Sequence, residues 1–253
     1  MAKGFVWYEL MTTDAKAAEA FYTRVVGWTA APADQPGMDY TILKAAGANA
    51  AGLMTLPKEA CDAGARPGWM GYVGVDDLDA MLARLAKAGG SVHRPATPIP
   101  GIGSFAVVAD PQGAVFCLFQ PGGPGPAAPA PNTPGSIGWH ELMAGDGEKA
   151  FDFYAGLFGW TRDVAMDMGP MGKYQLFAVD GQAIGGMMTK PAEVPMPSWG
   201  YYWRVDAIGS ALERLKAGGA QVVNGPMEVP GGDWIVQAMD PQGAMFALVG
   251  PKG

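Results

Sequence analysis

Apolar positions along the first half of the chain switch between two periods in a fixed order. Phe5 to Met11 reads as a strand. Thr13 or Asp14 then offers an N-cap, and Ala18, Phe21, Tyr22 and Val25 fall on one helical stripe closed by Gly27. Short strands follow around Tyr40 to Lys44 and Ala50 to Thr55. A strand from Trp69 to Val75 next runs into a helix carrying Leu78, Leu82 and Leu85 and ending at Gly89-Gly90. Two more strands, near Ser104 to Ala109 and Val115 to Phe119, are joined by the turn Asp110-Pro111-Gln112-Gly113. Cys61 and His93 read as loop residues. The recurring unit is a strand, a helix and about three strands, which predicts an α+β fold of βαβββ modules.

The second half repeats the first. At an offset of 132, Trp7-Tyr8-Glu9-Leu10-Met11 meets Trp139-His140-Glu141-Leu142-Met143, Phe21-Tyr22 meets Phe153-Tyr154, and Gly27-Trp28 meets Gly159-Trp160. Further on the offset is 130: Trp69 meets Trp199, Val75-Asp76 meets Val205-Asp206, and Asp110-Pro111-Gln112-Gly113-Ala114 meets Asp240-Pro241-Gln242-Gly243-Ala244. Matches this numerous and this well ordered mark an internal duplication. It predicts four modules in two domains, 1–120 and 136–253. Residues 121–135, rich in Pro, Gly and Ala, form an extended strap of about 3.1 Å per residue where polyproline-like.

Composition narrows the partners. With 38 Gly and 22 Pro in 253 residues, turns and short strands are favoured over long helices. The formal net charge is −7 and the 17 Lys and Arg form no basic stripe, which argues against nucleic acid and anionic membrane surfaces. No apolar run reaches membrane-spanning length, and Met1 to Glu9 lacks the pattern of a signal peptide. Two cysteines without a pairing or metal spacing fit a reduced, cytoplasmic protein.

The openings Asp14-x6-Phe21-Tyr22-x4-Gly27-Trp28 and Asp146-x6-Phe153-Tyr154-x4-Gly159-Trp160, with the two Asp-Pro-Gln-Gly turns, resemble the vicinal-oxygen-chelate superfamily of glyoxalase I, bleomycin-resistance proteins and extradiol dioxygenases. The resemblance covers both halves almost end to end. It implies two glyoxalase-like domains with cupped mixed β-sheets, and a monomer whose halves pair about a pseudo-twofold axis. It implies no single activity, because this fold hosts lyases, dioxygenases, thiol transferases and drug binders. Family members that hold a metal use His, His and Glu on strands lining the cup. Carried over by position, these fall on Trp7, Met70 and Cys117 in the first half and on Trp139, Gly200 and Ala247 in the second. Such residues imply neither metal nor cofactor, unless Glu9, Glu141 or His140 forms an unusual site.

If Trp7 and Trp139 face the cup, strand alternation turns Glu9 and Glu141 inward as well, with Tyr8 and His140 toward the helices. Met70, Tyr72 and Cys117, and Tyr202 and Arg204, then join the wall. Such a wall suits a flat, largely apolar molecule held by stacking and a few polar anchors. Trp7 and Trp139 either stack on a ligand or fill the space of a metal. Glu9 and Glu141 either pair structurally, with Arg204 as a candidate partner, or serve as anchor or general base. Three functions follow: a metal-independent protein binding a small aromatic or polyketide-like ligand, an isomerase, lyase or dioxygenase-like enzyme using Glu9 and Glu141 or an atypical metal site, or a structural or secreted-antigen role in which the cups are vestigial.

Overall fold

The computed structural model describes residues 4–33, 39–62 and 64–253; the opening Met1 to Lys3 of the leader reading lies outside them. Four modules follow one another. The first has β1 (Phe5–Thr12), α1 (Ala15–Val26), β2 (Thr29–Pro32), β3 (Tyr40–Ala45) and β4 (Ala48–Thr55), followed by a short α2 (Lys58–Asp62). The second has β5 (Gly68–Gly74), α3 (Leu78–Lys87), β6 (Ser91–Ile99), β7 (Gly103–Ala109) and β8 (Val115–Pro121). The third has β9 (Ile137–Ala144), α4 (Gly147–Phe158), β10 (Thr161–Asp167), β11 (Lys173–Val179) and β12 (Gln182–Thr189). The fourth has β13 (Ser198–Arg204), α5 (Ile208–Ala217), β14 (Gln221–Glu228), β15 (Trp234–Met239) and β16 (Met245–Gly250).

The strands form two eight-stranded mixed sheets, ordered β2-β3-β4-β1-β5-β8-β7-β6 and β10-β11-β12-β9-β13-β16-β15-β14, neither closing into a barrel. The fold class is α+β. No helix among the described residues is long and apolar enough to cross a membrane.

Local chemistry fixes the helix ends in both copies. The Asp14 and Asp146 side chains accept from the Ala17 and Lys149 amides, and Gly27 and Gly159 close the helices at φ 88° and 75°, a conformation that favours glycine. Several finer expectations change. On α3 the buried stripe is Leu78, Met81 and Leu85, with Leu82 only half-buried. His93 lies in strand β6 rather than a loop, and Cys61 in α2. Pro95 and Pro98 masked β6 in the sequence; they are tolerated because β6 is an edge strand, where missing N–H donors break no ladder.

Two compact units draw on both halves of the sequence. One comprises Met1–Val6, Met70–Gly125 and His140–Gly200, the other Trp7–Trp69, Pro126–Trp139 and Tyr201–Gly253. The repeated motifs explain each unit's core. In the second unit, Trp69 Nε1 donates to Tyr22 Oη at 3.0 Å, Tyr22 donates to Asp240 Oδ2 at 3.0 Å, and Asp240 Oδ1 accepts the Gln242 and Ala244 amides. In the first, Trp199, Tyr154 and Asp110 repeat the chain at 3.0 and 3.2 Å, with the Gln112 and Ala114 amides on Asp110. The Phe-Tyr and Asp-Pro-Gln-Gly motifs are thus the two ends of one buried clamp, joining a helix of one half to a turn of the other.

Candidate functional site

Burial alternates along the central strands and separates two faces. On β9, Trp139, Glu141 and Met143 are half-buried while His140, Leu142 and Ala144 are buried. On β7, Phe105 and Val107 are half-buried while Ala106 and Val108 are fully buried. Each strand therefore turns one row inward and the other to a half-open face.

On that half-open face, β1, β3 and β4 assemble a carboxylate–phenol pair. Tyr40 Oη donates to Glu9 Oε2 at 2.8 Å and accepts from Trp7 Nε1 at 3.0 Å. Glu9 is only 8% exposed. Burial first, and then the neighbouring Glu9 charge, push the Tyr40 phenol above its ordinary range, so it stays a proton donor. The register explains how Tyr40 reaches: Glu9 stands opposite Gly52 on β4, and a Cβ at Gly52 would overlap the Tyr40 hydroxyl. Met54 is opposite both Tyr40 and Met11, which places both thioethers on the same face beside the pair.

The other repeat rebuilds this arrangement. Tyr174 Oη donates to Glu141 Oε1 at 3.1 Å, Glu141 stands opposite Gly186, and a Cβ at Gly186 would overlap the Tyr174 ring. Met188 is opposite both Tyr174 and Met143. Tyr40, Gly52, Tyr174 and Gly186 were missed in the sequence because they align at an offset of 134, between the stretches aligned at 132 and at 130.

The remaining candidates fall into separate clusters. Cys117, fully buried, donates its thiol to Met70 Sδ at 2.9 Å. Tyr72 tilts against Phe105 with ring centroids 6.1 Å apart. Trp139 packs on Tyr202, Ala247 and Val249 together with Ile235. Tyr202 accepts from Gln237 Nε2 at 2.6 Å. Arg204 is a correction: its guanidinium pairs with Asp233 at 2.9 Å, so it partners neither Glu9 nor Glu141. His140 belongs to the core, stacked 4.4 Å from Phe5 and bonded through Nδ1 to the Ile184 carbonyl at 2.7 Å, with burial lowering its pKa to about 4.

The positions matched to family ligands supply two indoles, a thioether, a thiol already bonded to that thioether, and two residues without a donor side chain. Among the described residues no group of three or more His, Cys, Asp or Glu converges as metal ligands would. This donor set does not fit the divalent ions that imidazole and carboxylate hold.

Comparison with known proteins settles the family. The glyoxalase-like domain family matches residues 7–119, and the glyoxalase/bleomycin resistance protein/dioxygenase superfamily matches residues 136–248. CFP32 of Mycobacterium tuberculosis, which bears a glyoxylase name, is 30% identical over 247 residues, covering 97% of this chain and 94% of its own. The chain belongs to the glyoxalase/bleomycin resistance protein/dioxygenase superfamily. The anthracycline biosynthesis protein DnrV of Streptomyces peucetius is 28% identical over 96% of this chain and 91% of its own. Among solved structures, the Mn(II)-bound glyoxalase from Novosphingobium aromaticivorans superposes with a TM-score of 0.68 at 16% identity, over 100% of this chain and 83% of that one. The 2,3-dioxygenase LapB from Pseudomonas sp. KL28 does so at 0.68 and 13%, over 100% and 93%. At such identities these structures speak for the fold alone.

Proposed function

We propose that the chain is a ligand-holding member of this superfamily, binding small, flat, largely apolar or aromatic molecules on the half-open faces of its sheets without a catalytic metal. The observation that carries this reading is the repeated pair of Glu9 with Tyr40 and Glu141 with Tyr174, each set beside two methionines and under a glycine that makes room for the phenol. A carboxylate on a largely apolar face accepts a ligand hydroxyl or N–H strongly, while thioethers adapt to a flat ring. Trp7 and Trp139 extend that surface. Two relatives carry anthracycline biosynthesis in their names, which adds weight to an aromatic, polyketide-like ligand.

Titration with 1,8-dihydroxyanthraquinone, followed by quenching of tryptophan fluorescence, tests the proposal. Binding is expected, and Glu9→Gln or Glu141→Gln should weaken it by roughly 1–3 kcal/mol, about fivefold to 150-fold, with an unchanged melting temperature. Unchanged affinity with a lowered melting temperature would make the carboxylates structural instead.

A second reading, an isomerase or lyase with Glu9 as base, is favoured by one observation: Tyr40 is a half-buried proton donor bonded to that same carboxylate. Such chemistry would exchange a proton α to a substrate carbonyl for deuterium in heavy water. Exchange equal in the native protein and Glu9→Gln would dismiss it.

A further inference from the structure

The edge strand β6 turns one charged side chain onto the half-open face of the first repeat. Val92 stands opposite Val108, which is buried, whereas Arg94 stands opposite Val107, which is half-buried. Two steps along β6 therefore match one step along β7, a bulge that moves Arg94 from the row of Val92 to the row on the half-open face. There the Arg94 guanidinium lies 4.9 Å over the Phe105 ring and its Nε donates to Thr97 Oγ1 at 3.2 Å; Thr97 Oγ1 in turn donates to the Pro95 carbonyl at 2.9 Å. No carboxylate among the described residues pairs with Arg94. Phe119, opposite Phe105, is half-buried on the same face. The second repeat keeps the bulge, with Val222 opposite Ala238 and Asn224 opposite Gln237. The residue it turns there is uncharged and donates to Gln237 Oε1 at 3.1 Å.

We propose that Arg94 determines specificity in the first repeat, taking the carboxylate of a flat aromatic acid whose ring lies on Phe119 and Val107. This deepens the ligand-holding reading and rests on it: the carboxylate is required in addition to the hydroxyl groups that the Glu–Tyr pairs accept. Thr97 occupies Nε and the Phe105 ring covers one face of the guanidinium, which leaves its two terminal nitrogens as a planar fork that a carboxylate matches. Because the arm is already held, less rotamer freedom is lost when an anion arrives. With a net charge of −7 the chain offers an acid no general attraction, so a preference for one must come from a local cation. The bulge itself does not call for a cation, since asparagine occupies it in the second repeat.

Equilibrium dialysis of the full chain with 1,8-dihydroxyanthraquinone and with 4,5-dihydroxyanthraquinone-2-carboxylic acid tests the assignment, because the two share their rings and hydroxyls and differ by one carboxylate. The native protein should bind one equivalent of the acid about fivefold more tightly than the parent compound, the upper end for a partly exposed ion pair. Arg94→Gln should bring the ratio of affinities to about one or below, Arg94→Lys should retain part of it, and 0.5 M sodium chloride should shrink it in the native protein, each variant keeping a cooperative melt. An arginine that only stacks on Phe105 would predict something else: Arg94→Gln would weaken both compounds alike and leave their ratio unchanged. That result, or equal affinity for the two compounds in the native protein, would overturn the assignment while leaving the general ligand-holding reading intact. If neither compound binds the native protein, that broader reading fails and this one falls with it.

Discussion

At Gly52 the chain has no room for a side chain, because a Cβ would overlap the hydroxyl that Tyr40 gives to Glu9. The obstructed atoms are the hydroxyl and two ring carbons at the far end of a half-buried tyrosine, so Gly52→Ala should swing the whole phenol away rather than break the strand. The expected result is about a tenfold loss of dihydroxyanthraquinone affinity with stability changed by less than about 1 kcal/mol, read by titration and melting. A loss of stability without loss of affinity would show that the glycine serves packing alone. His140 makes a second residue-scale case. Its folded pKa of about 4 lies below the ordinary 6.5, so below pH 6.5 the unfolded chain binds a proton that the folded one does not. Stability is therefore fully present above pH 6.5 and falls as the pH drops toward 4. Between pH 6.5 and 5 that amounts to about 2 kcal/mol. His140→Tyr, which installs the residue Tyr8 that the first repeat carries, should flatten this slope in denaturant titrations at the two pH values.

At the scale of elements, the clamps explain why certain motifs recur. Tyr22→Phe removes both the donor to buried Asp240 and the acceptor of the Trp69 indole, and should cost about 2–3 kcal/mol in chemical denaturation. Tyr154→Phe should do the same for Asp110 and Trp199, and a cost below about 0.5 kcal/mol in both would refute the clamp. Period and capping made β1, α1, β5, α3 and their copies legible in the sequence, since Asp14, Gly27 and the apolar stripe each report local geometry. The edge strands β6 and β14 were not legible, because Pro95, Pro98 and Pro226 read as breakers and the exposed rows show no apolar period. Of the candidate site, Glu9 and Glu141 were named by strand alternation counted from Trp7 and Trp139, the positions that the family resemblance turns toward the cup. Tyr40 and Tyr174 were not, because they come from different strands and meet the carboxylates only through register. The Arg204–Asp233 pair was hidden for the same reason: 29 positions separate the partners.

For the molecule as a whole, each compact unit contains segments from both halves of the sequence, while the strap between the halves is largely exposed from Gly122 to Asn132. Within one unit α1 of the first half meets α5 of the second, with Arg214 Nε donating to the Val25 carbonyl at 3.1 Å. Within the other, Arg84 of α3 donates to the Gly156 and Leu157 carbonyls at the end of α4. The buried clamps likewise run between halves, Tyr22 to Asp240 and Tyr154 to Asp110. Covalent continuity through the strap is therefore a matter of effective concentration rather than of structure. Two chains, residues 1–125 and 126–253, expressed together with a tag on the first, should co-purify in equal amounts and melt in one cooperative transition. The midpoint should rise with concentration, because the unfolded fragments no longer share a tether. Adding Tyr22→Phe and Tyr154→Phe to the split pair should weaken association where it only lowers stability in the intact chain. Recovery of the tagged first half alone, folded and without its partner, would show that the halves stand independently and that the clamps are incidental to assembly.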